Sequence, residues 1–219
     1  LDLGEHAFDT DEMRSEATAE SISRLQEIAA RARPVALARE HVLPVLKRKQ
    51  GPIRIWSAGC SSGEEVYTIA MCLLGPDRTS ATWLRSADVR LLATDIAPHV
   101  VESVARGFYA ENVAAGVPEP YRSTWMRPAP GGFVMAEEAR QLVTARVLNL
   151  FEKWPLKAQY DVIFCRNVMI YFGDPAKEEL EGRFVDQLAP GGHLYIGHSE
   201  RLIGPAASRM KSCGHTIYA

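Results

Sequence analysis

The sequence predicts an α/β protein: a doubly wound, mainly parallel sheet, led by a short helical region and interrupted by a small antiparallel β insert. Three observations carry this. After Gly51, short apolar runs alternate with stretches of helical periodicity, the pattern of strand–helix repeats. The run Asp161-Val162-Ile163-Phe164-Cys165 lacks polar alternation, as expected of a strand covered on both faces. Residues 106–148, rich in Gly and Pro, then break the rhythm.

Taken in order, residues 1–50 form a polar, alanine-rich helical lead-in. Ile22, Leu25, Ile28 and Ala29 recur at helical spacing, and Pro34 stops that helix. A second short helix over 35–48 carries Val42, Leu43 and Leu46. Ile53-Arg54-Ile55-Trp56 is the first strand, and a helix from Glu64 buries Val66, Ile69, Ala70, Leu73 and Leu74. Arg90 to Asp95 is the second strand, followed by a helix through Val100, Val101, Val104 and Ala105. Within the insert, set at about 108–148, Phe133-Val134-Met135 and Gln141 to Val147 read as a hairpin around Glu137-Glu138. A helix over 174–188 points Leu180, Phe184, Val185 and Leu188 inward. Pro190-Gly191-Gly192 turns into the strand His193 to Gly197, and Thr216-Ile217-Tyr218 is the last strand. The domain division is therefore 1–50 and 51–219.

Composition narrows the function. The 219 residues are 47% apolar and 24% charged, enough to bury a sizeable core. Lys+Arg 25 against Asp+Glu 27 gives −2 and a pI near 6.3, without the basic footprint of a nucleic-acid binder. No apolar run reaches about 18 residues, so no membrane insertion is expected. Leu1-Asp2-Leu3-Gly4-Glu5 has no apolar leader core, and Cys60, Cys72, Cys165 and Cys213 form no C-x-x-C pair. They read as reduced thiols in a cytoplasmic setting. The six His and four Cys show no metal-ligand spacing.

Chemistry-bearing residues gather where strands end. The first strand runs into Ala58-Gly59-Cys60-Ser61-Ser62-Gly63-Glu64-Glu65. Ligands of open α/β sheets sit beyond such carboxyl ends, and glycines let backbone approach them closely. The loop lacks G-x-G-x-x-G, and its two carboxylates oppose a pyrophosphate while favouring a cationic centre such as an amine or sulfonium. Helix capping is the alternative for these acids. Asp95, with Ile96 after it, suits the two hydroxyls of a ribose, or caps the next helix. Asn149 can meet a nucleobase edge with Leu150 as apolar cover, or serve a turn. Arg166 and Asn167 emerge directly from a buried strand, and Tyr171 sets a phenol nearby. His198-Ser199-Glu200 is a further polar cluster at a strand end, read as a supporting network.

These strings resemble one family. Ile53 to Glu65, Ala93-Thr94-Asp95-Ile96, Phe164-Cys165-Arg166-Asn167-Val168-Met169-Ile170-Tyr171-Phe172, Pro190-Gly191-Gly192, Gly197-His198-Ser199-Glu200 and Gly214 to Tyr218 are similar to CheR, the chemotaxis protein methyltransferases. The resemblance implies a Rossmann-like S-adenosylmethionine-dependent methyltransferase sheet with a helical N-terminal region and an inserted β-subdomain. It implies methyl transfer from S-adenosylmethionine to glutamate side chains in the cytoplasmic domain of methyl-accepting chemotaxis receptors, with S-adenosylhomocysteine as product. By position, Ala58, Gly59, Glu65, Asp95, Ile96, Asn149, Leu150, Arg166 and Asn167 line the cofactor site. Asp95 takes the ribose, Asn149 and Leu150 the adenine, and Glu65, Arg166 and Asn167 the methionine end. Tyr171 and Arg166 stand at the transferring methyl. The family's Phe-Phe-Arg string is missing here, and Arg31 or Arg33 is the expected substitute. The alternative is a module that holds S-adenosylmethionine or S-adenosylhomocysteine with little or no transfer.

Overall fold

The computed structural model describes residues 43–214 and 216–219. Helix α1 (Leu43–Arg48) leads into β1 (Ile53–Ala58), α2 (Glu64–Leu74), β2 (Val89–Asp95) and α3 (Pro98–Arg106). Next come β3 (Phe108–Ala110), α4 (Glu111–Ala114), α5 (Tyr121–Trp125), β4 (Met126–Ala129) and β5 (Gly132–Met135). The chain continues through α6 (Glu137–Leu142), β6 (Val143–Val147), β7 (Tyr160–Cys165), α7 (Asp174–Gln187) and β8 (Leu188–Ile196). It ends with α8 (Gly204–Arg209), β9 (Ser212–Gly214) and β10 (Ile217–Tyr218).

The main sheet has seven strands in the order β6-β2-β1-β7-β8-β10-β9. The first five run parallel, while β10 lies antiparallel to both β8 and β9. The fold class is thus the expected α/β one. A second sheet, β3-β5-β4, is antiparallel throughout.

The expected hairpin over 133–147 does not form. Phe133, Val134 and Met135 belong to β5, which pairs with β3 and β4, whereas β6 pairs in parallel with β2 at the edge of the main sheet. Two apolar runs around a short polar stretch suit either arrangement. Here Glu137 to Leu142 is a helix, so the connection crosses from one sheet to the other. Pro190-Gly191-Gly192 also lies inside β8, at an irregularity against β7, and is no simple turn. Ala105 is exposed, and Val185 only half-buried. The helix read at 19–31 lies outside the described residues, as do Arg31 and Arg33.

Alternation along the central strands divides the core into two layers. Ile53, Ile55, Val162, Phe164 and Tyr195 face the layer under α2, with Val66, Ile69, Ala70 and Leu73. Trp56, Ala58, Ile163, Cys165, Leu194 and Ile196 face the other, under α7, with Leu180 and Phe184. Trp56 is fully buried, ringed by Trp154, Phe184 and Tyr160 at 4.9, 5.4 and 5.5 Å. Its indole N–H donates to Thr94 Oγ1 at 2.9 Å, so the one polar atom of this ring is satisfied. At the amino end of the sheet, Asp161 ties α1 down: Oδ1 meets Lys49 Nζ at 2.5 Å, and Oδ2 accepts the Arg54 N–H at 2.9 Å.

A carboxylate stands in the core under α7. Glu181 on α7 is fully buried. Its Oε2 accepts the Ile203 N–H at 2.8 Å, and Oε1 has no hydrogen-bond partner among the described residues. Burial pushes its carboxyl up to about 7; the Ile203 N–H works against this, and the charge of Glu178 adds to it. An unfolded glutamate titrates near 4.3. Between those values the native state holds more protons, so stability falls as pH rises through them, by up to about 3 kcal/mol. Glu181→Gln should abolish that slope. In urea denaturation at several pH values, the variant should match the wild type near pH 4 and exceed it at pH 8. Parallel pH profiles would contradict this.

Candidate active site at the switch point

From β1 the chain winds outward through β2 to β6, then returns to the other side of β1 as β7. The chain leaving β1 and the chain leaving β7 therefore lead to helices on opposite faces of the sheet, and a crevice opens beyond the carboxyl ends of these strands. Most residues singled out in the sequence border it: Ala58 ends β1, Asp95 ends β2, Asn149 and Leu150 follow β6, and Arg166 and Asn167 follow β7.

The β1 loop is shaped by backbone. The N–H groups of Gly59 and Cys60 both donate to Thr94 O at 2.8 Å, fastening the loop to β2. Gly59 has φ +74°, and a Cβ there would fall 2.5 Å from Val168 Cγ2 in the loop after β7. Only glycine allows the two loops this contact.

Beneath them lies a fixed carboxylate. Glu65 Oε1 accepts from Ser57 Oγ at 2.8 Å, and Oε2 accepts from Arg166 Nη1 at 3.2 Å. The Arg166 side chain is only 8% exposed. A pair this buried gains from charge-assisted geometry and loses heavily if one partner is removed. Asp95 is held differently: Oδ2 accepts the Ser61 N–H at 3.0 Å and Oδ1 the Ala97 N–H at 3.1 Å. Each oxygen keeps lone-pair capacity for another donor, as a ribose diol requires.

Asn149 adopts the turn role that the sequence left open. Its Oδ1 accepts the Phe151 N–H at 3.0 Å, and its amide donates to Glu152 Oε1 at 3.2 Å. Leu150 is buried in the α7-side core, and its carbonyl accepts from Trp154 Nε1 at 3.1 Å and Arg183 Nη1 at 2.6 Å. The Arg183 guanidinium lies 4.1 Å from the Trp154 ring centroid. Sequence reasoning missed Ser57 and Arg183; a serine inside a strand and an arginine on a helix carry no signal of such contacts.

The rim is apolar. Tyr171 is 80% exposed at the end of a tight turn over Met169–Tyr171, and Ile96, Val147, Phe151 and Ile170 are exposed as well. Phe151 meets Phe172 edge-on at 4.8 Å, joining the loops after β6 and β7. Carboxylates stand at the floor. Burial pushes the Cys60 thiol up to about 12, and the charges of Asp95 and Glu65 add to it. Cys165 is also raised, first by burial and then by Glu200, Glu65 and Glu181. Such a floor suits a positively charged ligand. A separate cavity of about 390 Å³, bordered by Gln159, Asp186 and Arg209, lies at the amino end of β8, away from this crevice.

Sheet order, glycine loop and ribose-ready aspartate together define an S-adenosylmethionine-dependent methyltransferase domain. Residues 31–219 match the model of the CheR methyltransferase SAM binding domain, and the chain belongs to that family. It is 40% identical over 187 residues to a "Probable chemotaxis protein methyltransferase" of Rhizobium etli, covering 82% of this chain and 68% of that protein. Identity is 36% over 174 residues to the chemotaxis protein methyltransferase of Vibrio parahaemolyticus, covering 78% of this chain and 62% of the relative. It is also 36%, over 177 residues, to chemotaxis protein methyltransferase 2 of Pseudomonas aeruginosa, covering 78% and 61%. The chain thus spans about two thirds or less of those proteins' length. No described helix is long and apolar enough to cross a membrane, and no metal-ligating group of three or more side chains occurs among the described residues. The residues present suit the cofactor: lone pairs for a diol at Asp95, and a negative floor for a sulfonium.

The loop contact yields a test. Gly59→Ala should destabilise the chain by about 1–3 kcal/mol, through the left-handed backbone and the Val168 clash. It should also weaken S-adenosylhomocysteine binding measured by calorimetry. Adding Val168→Ala should recover part of both losses, because it removes the clash and leaves the backbone strain. Strictly additive losses would contradict the contact.

Proposed function

We propose that this chain transfers the methyl group of S-adenosylmethionine to glutamate side-chain carboxylates in the cytoplasmic domain of methyl-accepting chemotaxis receptors. Membership of the CheR family supports the reading. The observation that carries it is the hydrogen-bonded Ser57–Glu65–Arg166 set under the switch point, with Tyr171 exposed at the rim above.

When bound, the cofactor supplies an electrophilic methyl on a positively charged sulfur. Asp95 accepts the ribose hydroxyls with the lone pairs its loop contacts leave over. The backbone of Ala58 and Gly59 lines the cofactor, and Ile96 gives apolar cover beside it. Asn149 and Leu150 shape the adenine end from a rigid turn. Glu65, Arg166 and Asn167 surround the methionine end, with Glu65 and Arg166 nearly neutralising one another.

The acceptor is a glutamate, ionised at pH 7 because its free pKa is near 4.3. Esterification forms an oxygen–carbon bond, breaks a carbon–sulfur bond whose electron pair stays on sulfur, and moves no proton. The site must therefore hold the carboxylate in line and strip its water. The apolar rim of Ile170 and Tyr171 does the second task, and Tyr171 the first. Opposite charges vanish as the reaction proceeds, so a site of low polarity favours the transition state. In this reading residues 1–50 and the methyltransferase domain 51–219 act together in the cytoplasm, with the small antiparallel sheet β3-β5-β4 docking the receptor.

The test is labelled methyl transfer to a receptor cytoplasmic fragment. Base-labile label on glutamate is expected. Tyr171→Phe should lower transfer by about tenfold or more, with stability changed by less than about 0.5 kcal/mol, because the ring is largely exposed. Arg166→Ala should reduce both cofactor binding and stability, since Glu65 is left buried without its partner. Cofactor binding by the wild type with no transfer to any receptor tested would favour the binding-module reading.

A further inference from the structure

The step just described assigns no task to the loop after β8. Yet Glu200 in that loop is only 7% exposed. Its Oε2 accepts the N–H of Gly197 at 2.5 Å and of Asn167 at 3.2 Å, and its Oε1 accepts the N–H of Ile170 at 3.2 Å. Its own N–H donates to Gly197 O at 3.0 Å and closes the turn. One carboxylate thus binds three backbone donors on two loops.

Those donors bracket the chemistry. Asn167 follows Arg166 directly and has φ +58°, the left-handed conformation that asparagine tolerates better than most residues with a side chain. Ile170 sits inside the turn that ends at Tyr171. Between the two lies Val168, which meets Gly59 across the switch point. At Gly197 a Cβ would fall 2.5 Å from Glu200 Oε2 and 2.9 Å from Asn167 N, so glycine is what lets the carboxylate in. An ionised carboxylate is acceptor-only and can serve all three donors. A glutamine would turn its NH₂ toward at least one of them.

We propose that Glu200 is a positioning residue for methyl transfer, setting the aim of Arg166 and Tyr171 through the backbone of the loop between them. The inference rests on the functional reading above. It is tested on the full chain with Glu200→Gln, by three measurements: amide NMR, S-adenosylhomocysteine calorimetry and transfer kinetics per folded molecule. The amide protons of Asn167, Ile170 and Gly197 should shift upfield as they lose a charged acceptor. Cofactor affinity should fall by about threefold and kcat by about 100-fold, a split expected of misaimed groups. A purely structural role would lower the melting temperature and leave kcat per folded molecule unchanged. Unmoved Asn167 and Ile170 resonances, or a kcat within about threefold of wild type, would overturn the proposal. If the wild type itself transfers no methyl, the functional reading fails, while the amide shifts and calorimetry still decide whether Glu200 sets the loop.

Discussion

The site depends on two loops meeting across the place where the sheet reverses its winding. Gly59 after β1 and Val168 after β7 approach so closely that no side chain fits at the glycine. Below that contact, Glu65 links Ser57 on β1 to Arg166 after β7. The sheet fixes the strand ends, and these contacts fix the loops to one another. Asp95 then holds Ser61 and Ala97, and Glu200 holds the far side of the β7 loop. Each support is a carboxylate bound to backbone or to arginine, so the crevice is rigid and negative together.

That combination accounts for the chemistry better than any single residue does. In the proposed transfer, a sulfonium needs negative surroundings, yet a carboxylate acceptor has to approach the same place. Arg166 offsets Glu65, and the exposed side chains of Ile170 and Tyr171 are apolar or uncharged. Negative charge is thus kept below the ligand, and the approach path stays apolar.

Much of this was legible in the sequence because burial on both sheet faces writes itself as unbroken apolar runs. β7 is legible that way, β1 and β2 as short strands in the strand–helix rhythm, and the polar residues ending them mark the crevice. The insert was harder. β5 and β6 are similar short apolar strands, and nothing local says that one joins a small antiparallel sheet and the other the edge of the main one. Buried acids were harder still: Glu181 stands among charged helix residues, and its burial and the hydrogen bond from the Ile203 N–H come from the tertiary structure alone. Asn149 was legible as a site residue or a turn residue, and its hydrogen bonds are those of a turn. Arg31 lies outside the described residues.

The most direct test of the account is a crystal structure of the chain with S-adenosylhomocysteine. The account predicts the adenosyl group in the crevice beyond β1 and β7, the ribose hydroxyls on Asp95, and the Ser57–Glu65–Arg166 contacts intact beneath the sulfur. A ligand found elsewhere, for example in the cavity beside Gln159, Asp186 and Arg209 at the other end of the sheet, would contradict it.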